Sequence, residues 1–203
     1  MTKIKFCGMM RAADIAAANA LHPEYIGFVF APGSRRAITP EQAAALKQQL
    51  APGIKAVGVF ANAPVAEVAA LLAAGVIDIA QLHGQEDEAY LQALRERTDK
   101  PILKAFRVDT AADLEYAAAF PADGLLLDSG TGGTGTVFDW ALLQNFPRPY
   151  FLAGGLNPEN VGTAIQTLHP YAVDVSSGIE TDGKKEAKKM AAFAAAVRKE
   201  EKA

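Results

Sequence analysis

Short apolar runs rich in Ile, Val, Leu and Phe recur along the chain at intervals of roughly 20 to 30 residues. Eight such runs occupy residues 4–6, 26–30, 56–60, 76–80, 102–106, 124–127, 150–153 and 172–175. Consecutive positions in these runs are apolar, without alternation of apolar and polar side chains, which is typical of strands buried on both faces of a parallel sheet. The pattern therefore predicts eight buried parallel strands.

Helix-start signals lie between the predicted strands. Thr39-Pro40-Glu41-Gln42 combines an N-cap, a first-turn proline and a capping-box partner, and Asn157-Pro158-Glu159 repeats the cap and the proline. Asp109 is expected to cap a helix over 110–119. Further helices are predicted over 14–21, 65–74, 87–96 and 138–144, with a last one near the C-terminal end.

Eight strands, each followed by a helix, leave two architectures, a closed (β/α)₈ barrel or an open doubly wound sheet. The count of eight favours the barrel. No linker or shift of composition marks a domain boundary, so residues 1–203 are expected to form a single (β/α)₈ TIM-barrel domain.

Composition and charge narrow the range of partners. Hydrophobic residues make up 50% and charged residues 21% of the chain, as in soluble globular proteins. A net charge of −3 gives no electrostatic reason to bind nucleic acid or an anionic membrane, and no signal segment or membrane span is recognisable. We expect a cytoplasmic protein without either partner. One cysteine and three scattered histidines offer no metal-ligand spacing, so no metal is expected.

Candidate chemistry collects where the strands end, which is where TIM barrels carry their active sites. Cys7 follows the first apolar run and Asp128 follows the sixth, so a thiol and a carboxylate are expected to face one cavity. Arg36, with its neighbour Arg35, and His83 occupy similar positions. Each residue taken alone also has an ordinary structural explanation, such as core packing for the cysteine, loop capping for the aspartate or a satisfied hydrogen bond for the histidine.

Two glycine-containing loops suggest a phosphate site. Gly154-Gly155 follows the seventh predicted strand, and Ser177-Gly178 follows the eighth. In many barrels these two loops bind a phosphate through backbone N–H groups and a short helix N-terminus. A third glycine-rich segment, residues 130–135, lacks the spacing of a dinucleotide fingerprint, and we interpret it as a lid loop.

Several segments, taken in chain order, resemble the phosphoribosylanthranilate isomerases of tryptophan biosynthesis. They include Lys5-Phe6-Cys7-Gly8, Ser34-Arg35-Arg36, Gln81-Leu82-His83-Gly84, Leu127-Asp128-Ser129, Ala153-Gly154-Gly155-Leu156 and Asp174-Val175-Ser176-Ser177-Gly178. The resemblance extends from end to end of the chain. It implies a (β/α)₈ barrel that converts N-(5′-phosphoribosyl)anthranilate into 1-(2-carboxyphenylamino)-1-deoxyribulose 5-phosphate by a cofactor-free Amadori rearrangement.

The resemblance also implies roles for individual residues. Asp128 would protonate the ribose ring oxygen, and Cys7 would remove a proton from the carbon next to the resulting Schiff base. Arg36 would bind the anthranilate carboxylate, although the sequence leaves open which arginine of the pair faces the substrate. His83 and Asp174 would line the site. The partner is then a small phosphorylated substrate, and the protein is expected to be a monomer or a homodimer.

Three other functions stay open at this point. A histidine-pathway Amadori isomerase would share the glycine loops but is expected to have an aspartate in place of Cys7 and a second phosphate site. A flavin-binding or lyase barrel would need an aromatic-lined cofactor pocket or a strand lysine that forms a Schiff base, and Lys104 is the candidate. A noncatalytic phosphate-binding protein would use neither Cys7 nor Asp128.

Overall fold

The computed structural model describes residues 1–128 and 140–200. Over these ranges eight parallel strands follow one another around a closed barrel. The strands, β1 to β8, are Lys3–Cys7, Tyr25–Val29, Lys55–Phe60, Ile79–Leu82, Ile102–Arg107, Gly124–Asp128, Tyr150–Ala153 and Ala172–Val175. Because β1 pairs with both β2 and β8, the sheet has no free edge, so the barrel is confirmed and the open doubly wound sheet is wrong.

Helices cover the outside of the barrel. The α-helices in the described ranges, α1 to α7, are Ala12–Leu21, Pro40–Lys47, Val65–Ala73, Glu88–Arg95, Ala111–Ala119, Val161–Leu168 and Ala187–Lys199. None of these helices is long and apolar enough to cross a membrane. After β8 come a 3₁₀ turn, Ser177–Ile179, and a small hairpin of β9, Glu180–Thr181, with β10, Lys184–Lys185.

The interval between β6 and β7 differs from the sequence expectation. A helix is expected over 138–144, but the described part of this interval contains a 3₁₀ turn, Trp140–Leu143. Asn145, just after it, has a positive φ of 69°, a conformation that an α-helix does not continue through. The predicted lid loop over 130–135 lies outside the described residues.

Side-chain caps explain where α2 and α5 begin. The Thr39 hydroxyl accepts from the Gln42 N–H, and the Gln42 side chain accepts from the Thr39 N–H, so the predicted capping box of α2 is confirmed. The cap predicted at Asp109 is wrong by one residue. Thr110 is the N-cap of α5 because its hydroxyl accepts from the Asp113 N–H at 3.3 Å, and the Asp113 carboxylate accepts in return from the Thr110 N–H at 2.8 Å.

The start of α6 also differs from the prediction. Asn157 is not its cap; the helix begins at Val161, after Asn160. The Asn157 side chain instead accepts from the N–H groups of Glu159 and Asn160, at 2.9 and 3.0 Å. This closes a separate turn before the helix, in keeping with the tendency of Asn to compete with helix formation through local hydrogen bonds.

Two layers of apolar side chains explain the unbroken hydrophobic runs. The outer layer, between strands and helices, contains the fully buried rings of Phe6, Phe28 and Phe60. The inner layer fills the barrel interior with side chains from the strands, and partly buried Tyr25 packs against it. Its buried members are Val57, Ile79, Leu103, Ala105, Leu126, Phe151, Ala153 and Ala172. Burial of one Leu or Phe side chain contributes roughly 1.5–3 kcal/mol, so both faces of each strand stabilise the barrel.

Candidate active site

A cavity of about 380 Å³ opens at the carboxyl ends of the barrel strands. Most of the predicted site residues line it: Cys7, Arg36, His83, Asp128, Gly154, Gly155, Asp174 and Ser177. Gly178 does not line the cavity and lies against the backbone of the neighbouring loop. Barrel closure thus brings together side chains from both ends of the chain.

The Cys7 thiol lies at the buried end of β1. Gly27 is its register partner on β2, and a Cβ atom at Gly27 would lie 2.8 Å from the Cys7 Sγ. The absence of a side chain at Gly27 therefore makes room for the thiol. Burial raises the pKa of Cys7 above its ordinary value, and the Lys5 ammonium opposes this rise.

An ion pair lies directly beside this thiol. The Lys5 Nζ is 2.9 Å from the Asp174 Oδ1. Lys5 on β1 and Asp174 on β8 are register partners, and the Lys5 side chain is fully buried. Burial disfavours the ammonium, but the carboxylate of Asp174 raises the pKa of Lys5 above its ordinary value. Lys5 and Cys7 are two residues apart on a strand and so share its inner face. Sequence reasoning missed Lys5, although a lysine inside an apolar strand was a usable signal.

His83 and Asp128 face each other across the cavity, with 3.6 Å between the His83 Nε2 and the Asp128 Oδ2. The other ring nitrogen, Nδ1, lies 2.9 Å from the Gln81 Nε2. A hydrogen bond therefore joins the Gln81 amide to the His83 ring, and Nε2 is the ring nitrogen that faces Asp128. The Gln81 Oε1 is buried and has no hydrogen-bond partner in the described part of the chain. Sequence reasoning gave Gln81 no role.

The segment that carries His83 is held by a buried ion pair. The Glu86 carboxylate accepts from the backbone N–H groups of Asn62 and Gly84, at 2.6 and 2.8 Å. Lys104 binds Glu86 at 2.9 Å and donates to the Gly84 carbonyl at 2.7 Å. Lys104 does not line the cavity. Its amine is engaged in this ion pair, which argues against the Schiff-base lysine considered above.

Of the two adjacent arginines, Arg36 is the one that lines the cavity. Its Nε and Nη2 donate to the two carboxylate oxygens of Glu180, at 2.6 and 2.8 Å. Arg35 is mostly exposed and reaches Glu180 with one contact of 3.2 Å. Burial disfavours the Glu180 carboxylate, but hydrogen bonds from Arg36 and Lys185 lower the pKa of Glu180 to about 2, so the group stays ionised.

The two glycine-containing loops touch each other at the cavity wall. Gly154 and Gly155 have positive φ angles of 97° and 60°, which glycine adopts without strain. The N–H of Gly155 has no hydrogen-bond partner within residues 1–128 and 140–200. A Cβ at Gly178 would lie 2.0 Å from the Leu156 carbonyl oxygen, so glycine there allows the loops to pack together. The arrangement suits an anion bound by backbone N–H groups.

The family model of N-(5′-phosphoribosyl)anthranilate isomerase, abbreviated PRA isomerase, matches residues 4–196. The chain belongs to this family. A relative named N-(5′-phosphoribosyl)anthranilate isomerase, from Endomicrobium trichonymphae, is 45% identical over 194 residues, which is 94% of this chain and 95% of the relative.

Solved PRA isomerase structures share the fold. Monomers of the dimeric enzyme from Thermotoga maritima align with a TM-score of 0.87 at 34% identity, over 98% of this chain and 100% of theirs. A PRA isomerase in complex with reduced 1-(o-carboxyphenylamino)-1-deoxyribulose 5-phosphate aligns with a TM-score of 0.86 at 33% identity, over the same shares. As a PRA isomerase family member, this chain is an aldose–ketose isomerase of tryptophan biosynthesis. The other functions left open by the sequence are therefore set aside.

Proposed function

We propose that this isomerase performs its rearrangement with Asp128 as the general acid and Cys7 as the general base. The observation that carries the proposal is that this carboxylate and this thiol line one cavity with the two glycine loops. A phosphorylated sugar bound at the loops would then extend between the acid and the base.

The reaction needs two proton transfers to reach an enolamine, which then rearranges to the product ketone. Asp128 gives a proton to the ring oxygen of the ribose as its bond to C1 breaks, and the nitrogen lone pair forms a C=N⁺ bond. The iminium acidifies the C2–H, and the Cys7 thiolate takes that proton while its electrons form an enolamine. Protonation of C1 and loss of the enol proton complete the rearrangement.

Arg36 and the glycine loops supply the binding contacts in this proposal. The remaining donors of the Arg36 guanidinium match the two oxygens of the anthranilate carboxylate. Backbone N–H groups of Gly155, Ser177 and Gly178 bind the phosphate, helped by the partial positive charge of the 3₁₀ turn at Ser177. His83, whose Nε2 faces the Asp128 Oδ2, stabilises the Asp128 carboxylate after proton release.

The direct test is the turnover of Cys7→Ala and Asp128→Asn. Turnover is measured as the loss of fluorescence of phosphoribosylanthranilate generated in situ. Each variant is expected to fold and to lose about 10²- to 10⁴-fold in kcat, the usual contribution of a positioned acid or base. Asp109→Asn is the matched control, because Asp109 is exposed, pairs with Arg107 and does not line the cavity. Near-normal turnover of Cys7→Ala would show that the cysteine is only a packing residue.

We also propose the domain organisation, the oligomeric state and the cellular location of the protein. A single domain over 1–203 is supported by the closure of β8 on β1. The dimeric relative from Thermotoga maritima, from which monomers were made, supports a homodimer or a monomer, and sedimentation equilibrium distinguishes the two. A cytoplasmic location is in keeping with a biosynthetic isomerase, and cell fractionation tests it.

A further inference from the structure

Glu180 is an unusual carboxylate because three cationic side chains share it. It lies at the start of β9, its side chain is only 4% exposed, and it does not line the cavity. Arg36 binds it through two hydrogen bonds, Lys185 through one of 2.6 Å, and Arg35 through one of 3.2 Å. The cluster therefore keeps a surplus of positive charge beside a cavity that is expected to hold an anionic substrate.

The contacts of Glu180 fix the direction of the Arg36 guanidinium. The carboxylate occupies the edge formed by Nε and Nη2, which is a planar bidentate arrangement. The Arg36 Nη1, which makes no hydrogen bond in the described part of the chain, is thereby held in one orientation. An arginine side chain free to change rotamers would lose this freedom on binding, at a cost in affinity.

Glu180 is itself held from the opposite side. Lys185 is its cross-strand partner in the β9–β10 hairpin, and the Lys185 side chain is fully buried. The same Nζ donates to the Ser176 carbonyl oxygen and hydroxyl, at 2.9 and 3.1 Å. The Ser176 hydroxyl donates to the Cys7 carbonyl at 3.2 Å. The hairpin is therefore connected to β1 and to the loop after β8, so Glu180 has little freedom to move.

We propose that Glu180 is a positioning residue for substrate carboxylate recognition, acting by holding the Arg36 guanidinium in its binding orientation. The inference rests on the proposed function of Arg36. Glu180 itself does not touch the substrate. Its loss should therefore weaken binding at the carboxylate end of the substrate and leave the phosphate end and the proton transfers largely intact.

A double-mutant cycle of Glu180→Gln and Arg36→Ala tests the proposal, with the KM of the substrate and the inhibition constant of the reduced product analogue as readouts. Glu180→Gln alone should raise both constants by about tenfold, with kcat changed less than about threefold. In the Arg36→Ala background the same change should raise them less than about twofold, because the guanidinium through which Glu180 acts is gone. Glu180→Asp, which keeps the charge, should restore part of the affinity.

Inorganic phosphate and a neighbouring carboxylate provide the controls. The inhibition constant of phosphate should be the same in Glu180→Gln as in the unmodified protein. Glu186→Gln should leave KM unchanged. It is the same substitution at a more exposed residue, whose side chain contacts Thr181 and Lys189. If Glu180→Gln does not fold, the comparison is made with Glu180→Asp, for which KM should rise at least about threefold.

The possible failures are distinguishable. An equal effect of Glu180→Gln in both backgrounds, or an unchanged KM in the folded variant, would overturn the positioning role of Glu180 while leaving that of Arg36 standing. An unchanged KM in Arg36→Ala alone would instead overturn the proposed function of Arg36, and the inference with it.

Discussion

The Lys5 ammonium and the Asp174 carboxylate form an ion pair of 2.9 Å inside the barrel, and Lys5 lies two residues before Cys7 on the inner face of β1. Such a pair adds little net stability, because each ion must first lose its water, but it holds a fixed positive charge where water is excluded. The charge favours the thiolate of Cys7 over the thiol. We therefore interpret the Lys5 ammonium as part of what makes a buried cysteine usable as a base.

Lys5→Met should move the pH dependence of turnover to higher pH. Burial already raises the pKa of Cys7, and loss of the ammonium raises it further, since Asp174 acts in the same direction and only Lys185 opposes it. A higher pKa leaves less thiolate at each pH, so kcat at pH 7 should fall about tenfold for each unit of the change. The pH profile of kcat measures the shift.

Lys3→Met is the matched control for this prediction. Lys3 lies on the same face of β1 at the other end of the barrel, where it contacts Tyr171. The pH profile of kcat for Lys3→Met should overlay that of the unmodified protein. Lys5→Met should also lose stability, because the mostly buried Asp174 carboxylate is left without its partner. A Lys5→Met profile without any shift would show that Lys5 does not control the ionisation of Cys7.

Arg36→Lys should raise KM by about tenfold, whereas Arg35→Lys should change it less than about twofold. A lysine has one point charge and cannot keep the two parallel hydrogen bonds that Arg36 makes with Glu180. The Arg35 side chain is 65% exposed, and its single ion-pair contact is easily replaced. Steady-state kinetics of the two variants gives the comparison. An equal or reversed order would mean that Arg35 is the arginine that meets the substrate.

Gly178→Ala should weaken competitive inhibition by inorganic phosphate more than Gly155→Ala does. A methyl group at Gly178 would clash with the Leu156 carbonyl oxygen and force the two loops apart, whereas no atom lies within 4 Å of a Cβ at Gly155. The Gly155 variant should show only the cost of a positive φ, about 1–2 kcal/mol.

Gly53→Ala is the control for backbone strain alone, since Gly53 also has a positive φ and open space around it but lies away from the cavity. It should lose stability without any change in phosphate inhibition. Phosphate inhibition that is equally strong in Gly178→Ala and in the unmodified protein would contradict a phosphate site between the two loops.

The barrel could be predicted from the sequence because burial on both faces gives each strand an unbroken run of apolar residues. Phe6 packs outward and Cys7 inward, so adjacent positions are both apolar or small. Helix boundaries were less predictable. Asp109 and Asn157 both have good capping chemistry, but the nearby side chains of Asp113 and Asn160 form competing hydrogen bonds that decide where α5 and α6 begin.

The sequence by itself determined the strand-and-helix order and the polar residues that follow the strands, since both depend on local pattern and on the rule that barrel sites lie at strand ends. Only the tertiary structure decided which charges meet. Lys5 pairs with Asp174 because closure of the barrel makes the first and last strands neighbours. Arg36 meets Glu180 because the hairpin after β8 folds back beside the loop after β2. Such long-range ion pairs leave no periodic trace in the chain, because their partners are far apart in sequence and their geometry exists only once the barrel has closed.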